Sequence, residues 1–265
     1  MIALICTLEP GRIAWLPQFV RHYRDIGVER FFLTLQLEPG NEPLADDRAY
    51  ALFRETLASL GIGDAFRLDD VYNGPVLMRH QRTIQVERLG SDDWIVWCDS
   101  DELQVYPAPL SEIIRQSGAQ GVEFLRGVFI DRVAADYGLA AFDPRTSLWD
   151  AYPRACNVTL ALAGGNPRKI ALARGNVLVS GGKHALRGDV QLRTFGGWVQ
   201  VHHFKWDATV LERLRYRIRP EWRAKFPWWI ESQRLLDYFA ANGSRFNPAD
   251  LTPITLNGPH FIAFE

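Results

Sequence analysis

The stretch Trp94-Ile95-Val96-Trp97-Cys98-Asp99-Ser100-Asp101-Glu102 decides how this chain reads. Its five apolar residues predict a fully buried strand. The run then ends in three carboxylates within four positions. In an α/β sheet, ligands bind just beyond the carboxyl ends of the strands. Clustered carboxylates resist joint ionisation unless a positive charge neutralises them. A hard divalent cation, with Asp99 and Asp101 as oxygen ligands, is the expected neutraliser. Such an ion, Mg2+ or Mn2+, leaves coordination positions open for phosphate oxygens and acts as a Lewis acid on a departing phosphate.

Working outward, short apolar runs alternate with helical periodicity. Ile2–Leu8 predicts a first strand, and Ile13–Ile26 a helix with apolar residues at 13, 16, 19, 20, 23 and 26, stopped by Gly27. Strand Arg30–Leu37, helix Leu44–Leu60, strand Asp64–Leu68 and helix Val76–Leu89 follow, which makes Trp94–Cys98 the fourth strand. This alternation predicts an α/β fold with a mainly parallel central sheet flanked by helices. Beyond it, Leu110–Gln116 reads as a short helix and Gly121–Phe129 as a strand. Residues 131–200 read as loops and antiparallel hairpins, and Ala208–Ile218 and Trp228–Ala241 as helices. The expectation is one domain over 1–265, with an elaborated C-terminal half from 121.

Hydrophobic residues make up 47% and charged residues 23%, an ordinary globular balance. No apolar run approaches the ~20 residues of a membrane span. The first residues read as a buried strand and not as a signal peptide. Cys6, Cys98 and Cys156 sit in apolar settings and read as core thiols of a cytoplasmic protein. The net charge of −1 is unevenly spread. Residues 168–225 hold 13 Lys or Arg against 4 Asp or Glu, and all four lysines, Lys169, Lys183, Lys205 and Lys225. That asymmetry points to an anionic partner. A pI near 6.6 argues against nucleic acid.

The order of elements resembles a GT-A-fold glycosyltransferase, in particular the family 2-like proteins related to the family 92 group. Glu9-Pro10, Trp15-Leu16, His22-Tyr23 and Gly27-Val28-Glu29-Arg30-Phe31 carry the resemblance, with Gln81 and Asp93–Glu102 after them. Lys169-Ile170, His184 and His202-His203-Phe204 continue it. The chain departs from the family in having Leu8 where an Asn is usual, and Gln36-Leu37-Glu38-Pro39-Gly40 in place of a Ser-x-Asp.

The resemblance implies a metal-dependent hexosyltransferase. It would use a nucleotide-diphosphate sugar, with a UDP-sugar first among donors, and a carbohydrate or lipid-linked acceptor, as in bacterial surface-glycan synthesis. Residues 1–120 would hold the donor and 121–265 the acceptor. Thr7, Glu9, Gln81 and Asp99 fall at donor positions, and Lys169, Lys183, His184 and Lys205 are phosphate candidates. His203 is favoured as third metal ligand, because strand alternation would turn one of the His202-His203 pair inward and place Lys205 on the same face; His184 and His202 stay open. The base that deprotonates the acceptor is sought beyond the strand after the metal run, where Asp131 stands, with Asp150 and Glu123 as alternatives. His80 could face the nucleotide. The aromatic and basic tract Trp206–Trp229 suits a glycan, a lipid-linked acceptor with peripheral contact at the inner membrane face, or core packing. Two other functions fit the residues: a carbohydrate- or nucleotide-binding module without turnover, and a metal-dependent nucleotidyltransferase or phosphohydrolase.

Overall fold

The computed structural model describes residues 1–38, 43–71, 73–188, 192–194, 199–223 and 228–254. Pro39, Gly40, Lys225 and Phe226, each part of an expectation above, lie outside the described residues. In chain order the strands are β1 (Ile2–Leu8), β2 (Arg30–Leu37), β3 (Ala65–Asp69), β4 (Trp94–Trp97), β5 (Glu102–Val105), β6 (Phe124–Val133), β7 (Arg154–Cys156), β8 (Arg168–Arg174) and β9 (Val199–His203). The helices are α1 (Leu16–Asp25), α2 (Pro43–Ser59), α3 (Gly74–Arg88), α4 (Leu110–Gln120), α5 (Leu148–Ala151), α6 (Val158–Ala161), α7 (Val210–Arg217), α8 (Pro220–Arg223) and α9 (Trp229–Ala241). They form two compact units. Of the described residues, one holds Met1–Val128 and Arg168–Val201; the other holds Phe129–Pro167 and residues 202–254.

In the first unit the sheet order is β3-β2-β1-β4-β8-β6-β9-β5, with β6 entering up to Val128 and β9 up to Val201. The block β3-β2-β1-β4 is parallel throughout, while β8 runs antiparallel to both β4 and β6. This is the α/β architecture read from the sequence, consistent with a GT-A-like nucleotide-binding fold. β1 and β2 match their expected limits because both are buried along nearly their whole length. Ala3, Ile5, Phe32, Ile95 and Trp97 lie together on one face of the sheet, where Ile84 of α3 packs on them. Asn73 caps α3 by accepting from the Val76 amide at 2.8 Å.

The departures have local causes. The expected helix 13–26 starts as a 3-10 turn over Pro10–Trp15, and α1 begins at Leu16 with Pro17 in its first turn. Proline is tolerated there and not further in, since it lacks an N–H and clashes with the preceding turn. Arg168–Arg174 belongs to the stretch expected as loops and hairpins, yet it is a buried strand between β4 and β6. β6 runs on to Val133, four residues past its expected end.

Gly175, which follows β8, shows how closely the chain is packed there. A Cβ at this position would stand 2.0 Å from the Gly90 carbonyl oxygen. The Gly175 amide also donates to Asp93 O at 2.7 Å, so neither backbone can move alone. Gly175→Ala is therefore expected to destabilise by about 1–3 kcal/mol. An unchanged urea midpoint would refute that close approach.

The second unit pairs β6 with β7 antiparallel, Asp131 opposite Cys156 and Val133 opposite Arg154. Its core gathers Val133, Val158, Trp206, Val210, Leu214, Leu235, Phe239 and Phe246. Cys6, Cys98 and Cys156 are all buried and free, as core thiols should be. Burial, followed by Asp131, pushes the Cys156 thiol up to about 12.

Candidate functional site

The first unit places β1 and β4 side by side, and the strand series runs outward from them in opposite directions, towards β2 and β3 on one side and β8 on the other. This is a topological switch point, the position at which open α/β sheets hold ligands beyond the strand ends. The pairing of Ile2 with Trp94 through Ile5 with Trp97, continued by two residues, brings Thr7 level with Asp99. Thr7 Oγ1 accepts from Gln81 Nε2 of α3 at 3.0 Å. On the neighbouring strand Thr34 Oγ1 lies 2.9 Å from His80 Nε2. Burial lowers the His80 pKa, which favours the neutral ring.

The acidic run folds as a tight turn. The Asp99 amide donates to Glu102 Oε2 at 2.9 Å, and the Glu102 amide to Asp99 O at 3.1 Å. β5 is then pinned from behind: Tyr23 Oη donates to Glu102 O, Gln104 Nε2 to Trp97 O, and His22 Nε2 lies 2.8 Å from Gln104 O. Glu102 is 1% exposed; Asp99 and Asp101 are half-buried.

The positive charge beside Asp99 comes from two lysines, where the sequence suggested a divalent cation. Lys169 Nζ donates to Asp99 Oδ2 at 2.7 Å and also to a Glu102 oxygen. Lys183 Nζ donates to Asp99 Oδ1 at 2.6 Å and to the Cys98 carbonyl at 2.7 Å. Burial alone would raise the Asp99 pKa, but the two ammonium groups outweigh it and hold the carboxyl well below its usual range. Lys169 shows the reverse: burial would lower it, and Asp99 and Glu102 hold it above its ordinary value. Lys169 is 1% exposed, so it serves the two carboxylates and is not offered to an incoming phosphate.

Lys183 arrives from a strained loop. Gly182 (φ 75°) and Lys183 (φ 63°) are both left-handed, and Ser180 O accepts from the Lys183 amide at 2.9 Å. Glycine adopts this conformation freely, whereas lysine does so at a cost, which the two hydrogen bonds of its ammonium offset. His184, next in the loop, is exposed, with Nδ1 2.6 Å from Arg168 O. Asp101 Oδ2 stands 3.7 Å from Arg12, whose guanidinium lies 3.9 Å from the Trp15 ring centre and 3.7 Å from Glu9. Asp99, Asp101 and Glu102 thus face Lys169, Lys183 and Arg12, and the formal charges of the six cancel.

Of the remaining expected residues, Glu123 lies half-buried in the first unit, just before β6, and the others fall in the second. Asp131 lies inside β6 and not beyond it, and is 1% exposed. Its carboxylate accepts from the Thr159 amide (2.6 Å), Thr159 Oγ1 (2.8 Å) and Trp206 Nε1 (2.8 Å), and His203 Nδ1 lies 3.0 Å away. An ionised carboxylate can only accept, so the His203 proton sits on Nδ1. A carboxylate buried among these donors has no edge for an acceptor hydroxyl, and it orients His203. Of the alternatives, Asp150 bonds Ser147 in the first turn of α5.

Both histidines of the pair are buried, because both faces of the end of β9 are covered: His203 stacks on Phe129 at 4.5 Å and His202 meets Trp149 edge-on at 4.8 Å. Lys205 Nζ stands 5.0 Å from the Trp206 ring. Sequence reasoning missed Glu102 as the second partner of Lys169. The signal was its place directly after the Asp-Ser-Asp run.

No family model matches the chain, and no curated protein matches it. Among solved structures it is similar to S. aureus TarS 1–349 in complex with UDP, at 10% identity and a TM-score of 0.31, over 66% of this chain and 46% of that one. The same TarS fragment in complex with UDP-GlcNAc gives 10% identity and a TM-score of 0.37, over 90% and 71%. A UDP-glucose pyrophosphorylase complexed with UDP-glucose gives 12% identity and a TM-score of 0.25, over 54% and 64%. This chain thus spans about half the length of the UDP-bound TarS chain. Likenesses so distant leave function to be argued from the chain's own residues.

Proposed function

We propose that this protein is a glycosyltransferase that binds a nucleotide-diphosphate sugar, a UDP-sugar first among candidates, at the carboxyl ends of β1 and β4. The observation that carries the reading is the charge-balanced cluster Asp99, Asp101, Glu102, Lys169, Lys183 and Arg12 at the switch point of the sheet. A ligand with a net charge of about −2 would unbalance this cluster; a divalent cation entering with it restores neutrality, which supports metal dependence. The carboxylate oxygens of Asp99 and Asp101 suit Mg2+ or Mn2+. Asp101 and the half-exposed edge of Asp99 would hold the ion, and when bound it supplies Lewis-acid stabilisation to the leaving diphosphate.

The chain's own groups divide the work. Lys169 keeps Asp99 and Glu102 ionised from behind. Lys183, 3% exposed and donating to Asp99 and the Cys98 carbonyl, holds Asp99 from the loop side, and the exposed His184 next to it is the loop's group for phosphate. Thr7, at the carboxyl end of β1, and Gln81, bonded to it, are the polar contacts for the nucleoside. The reaction transfers the sugar to an acceptor hydroxyl of a carbohydrate or a lipid-linked glycan, as surface-glycan synthesis requires. The new C–O bond forms at the anomeric carbon as its bond to the diphosphate breaks.

Calorimetric titration with UDP, UMP, UDP-glucose and UDP-GlcNAc, with and without Mn2+, tests the reading. Diphosphates should bind at least about tenfold more tightly with the ion, since charged hydrogen bonds and ion contacts exceed ~1.4 kcal/mol. Asp101→Ala should remove that gain at a stability cost of about 1–3 kcal/mol, since the buried Arg12 guanidinium is left with Glu9, and circular dichroism should show the fold retained. Binding of no nucleotide under any condition would sink the donor site. Binding without sugar transfer would mark a module, and free phosphate or nucleotide from unrelated donors a hydrolase.

A further inference from the structure

The helices of the second unit carry a feature that sugar transfer does not use. α7 and α9 turn Val210, Leu214, Leu235 and Phe239 into the core. Around the α7–α8 turn and the start of α9, arginines lie on aromatic rings. Arg219 stands 4.9 Å from the Tyr216 ring, Arg217 5.5 Å from Trp228, and Arg223 4.9 Å from Trp229. Tyr216, Trp222 and Trp228 form a continuous stack, with ring centres 5.4 and 6.5 Å apart. Trp222 is buried and anchors the stack, Trp228 and Trp229 are half-buried, and Ile230 beside them is 42% exposed. Residues 210–223 hold five arginines against Glu212 and Glu221, a net charge of +3.

We propose that this surface, centred on Arg217, Arg219, Arg223, Trp228, Trp229 and Ile230, docks on an anionic lipid bilayer. Indole rings settle at headgroup depth, between water and acyl chain, and an exposed isoleucine reaches below them. Guanidinium groups held over those rings are pre-organised at the same depth, where they meet lipid phosphate in a fork. Among the described residues no helix is long and apolar enough to cross a membrane. A nucleic-acid groove would need a longer basic track than one net +3 patch flanked by Glu212 and Glu221. The inference does not depend on the donor site, and either can fail alone.

Co-sedimentation of the full chain with vesicles tests it, using phosphatidylcholine alone and the same lipid with about 30% phosphatidylglycerol. The expected result is a rise in partition coefficient of about a hundredfold on adding the anionic lipid, from three net charges near the surface. It should fall steeply between about 0.1 and 0.5 M salt. Arg219→Glu with Arg223→Glu should return binding to the neutral-lipid level, and Ile230→Asp should weaken it with the charge response kept. Far-UV circular dichroism confirms that the variants fold. Three results would overturn the proposal: no binding to either vesicle, equal binding to both, or unchanged binding by the arginine double variant. Retention on heparin or single-stranded RNA without vesicle binding would equally overturn it.

Discussion

Lys169→Met should unfold at markedly lower temperature than the native chain, with a loss of about 3–5 kcal/mol. The substitution keeps the length of the side chain and removes its charge. Asp99 and Glu102 then face each other across an apolar methyl group, and Glu102, with no exposed side-chain surface, has no water to turn to. For a domain of this size the loss corresponds to a fall on the order of 10 °C in Tm. Adding Glu102→Gln should recover part of it, since the second variant removes the charge left uncompensated. Lys183→Met should cost less, about 1.5–3 kcal/mol, because its partner Asp99 keeps 49% of its side chain exposed. Scanning calorimetry of the four proteins reads the pattern. A Lys169→Met protein within about 1 kcal/mol of native would refute the buried ion pair.

Asp131→Ala carries the second large effect, about 3–5 kcal/mol, for a different reason. It strands the Thr159 amide, Thr159 Oγ1, Trp206 Nε1 and His203 Nδ1 at once, in the core of the second unit. Asp131→Asn is milder but also turns an N–H of its own towards donors. The readout that separates orientation from plain stability is the His203 ring: nitrogen NMR should show its proton on Nδ1 in the native protein and a mixed tautomer in Asp131→Asn. A general base facing solvent would behave oppositely, losing turnover with stability and tautomer unchanged. That outcome would restore Asp131 to the acceptor side.

The parallel half of the sheet was legible in the sequence because its strands are apolar runs closed by glycine or by charge. β1 and β2 match the expected limits to the residue, and β4 differs by one. β8 was not legible, since Arg-Lys-Ile-Ala-Leu-Ala-Arg shows three cations around four apolar residues. A lysine inside a buried strand makes sense only with Asp99 and Glu102 beside it, and they lie 70 and 67 residues earlier. No local pattern reports such a pair. β6 failed in the same way: Asp131 and Arg132 look like the end of a strand, yet both are satisfied inside it. Arg132 donates to Tyr152 O at 3.1 Å and stands 5.3 Å from the Trp149 ring. The carboxylates of the candidate site were thus visible in the sequence, and their partners were not.

The insertion of β8 beside β4 also sets an order of assembly. The parallel block β3-β2-β1-β4 lies wholly before residue 100, and Arg12 is its own cation beside the acidic run. Lys169 and Lys183 reach it 70 and 84 residues later in the chain, after helix and strand segments with partners of their own. Contacts of such long separation form late, since loop closure must come before their reward. β8 and the Gly181-Gly182-Lys183 loop thus bring Asp99 and Glu102 their ammonium partners from far along the chain. The contacts that neutralise Asp99 and Glu102 are therefore also the contacts that fix β8 and its following loop to the parallel block.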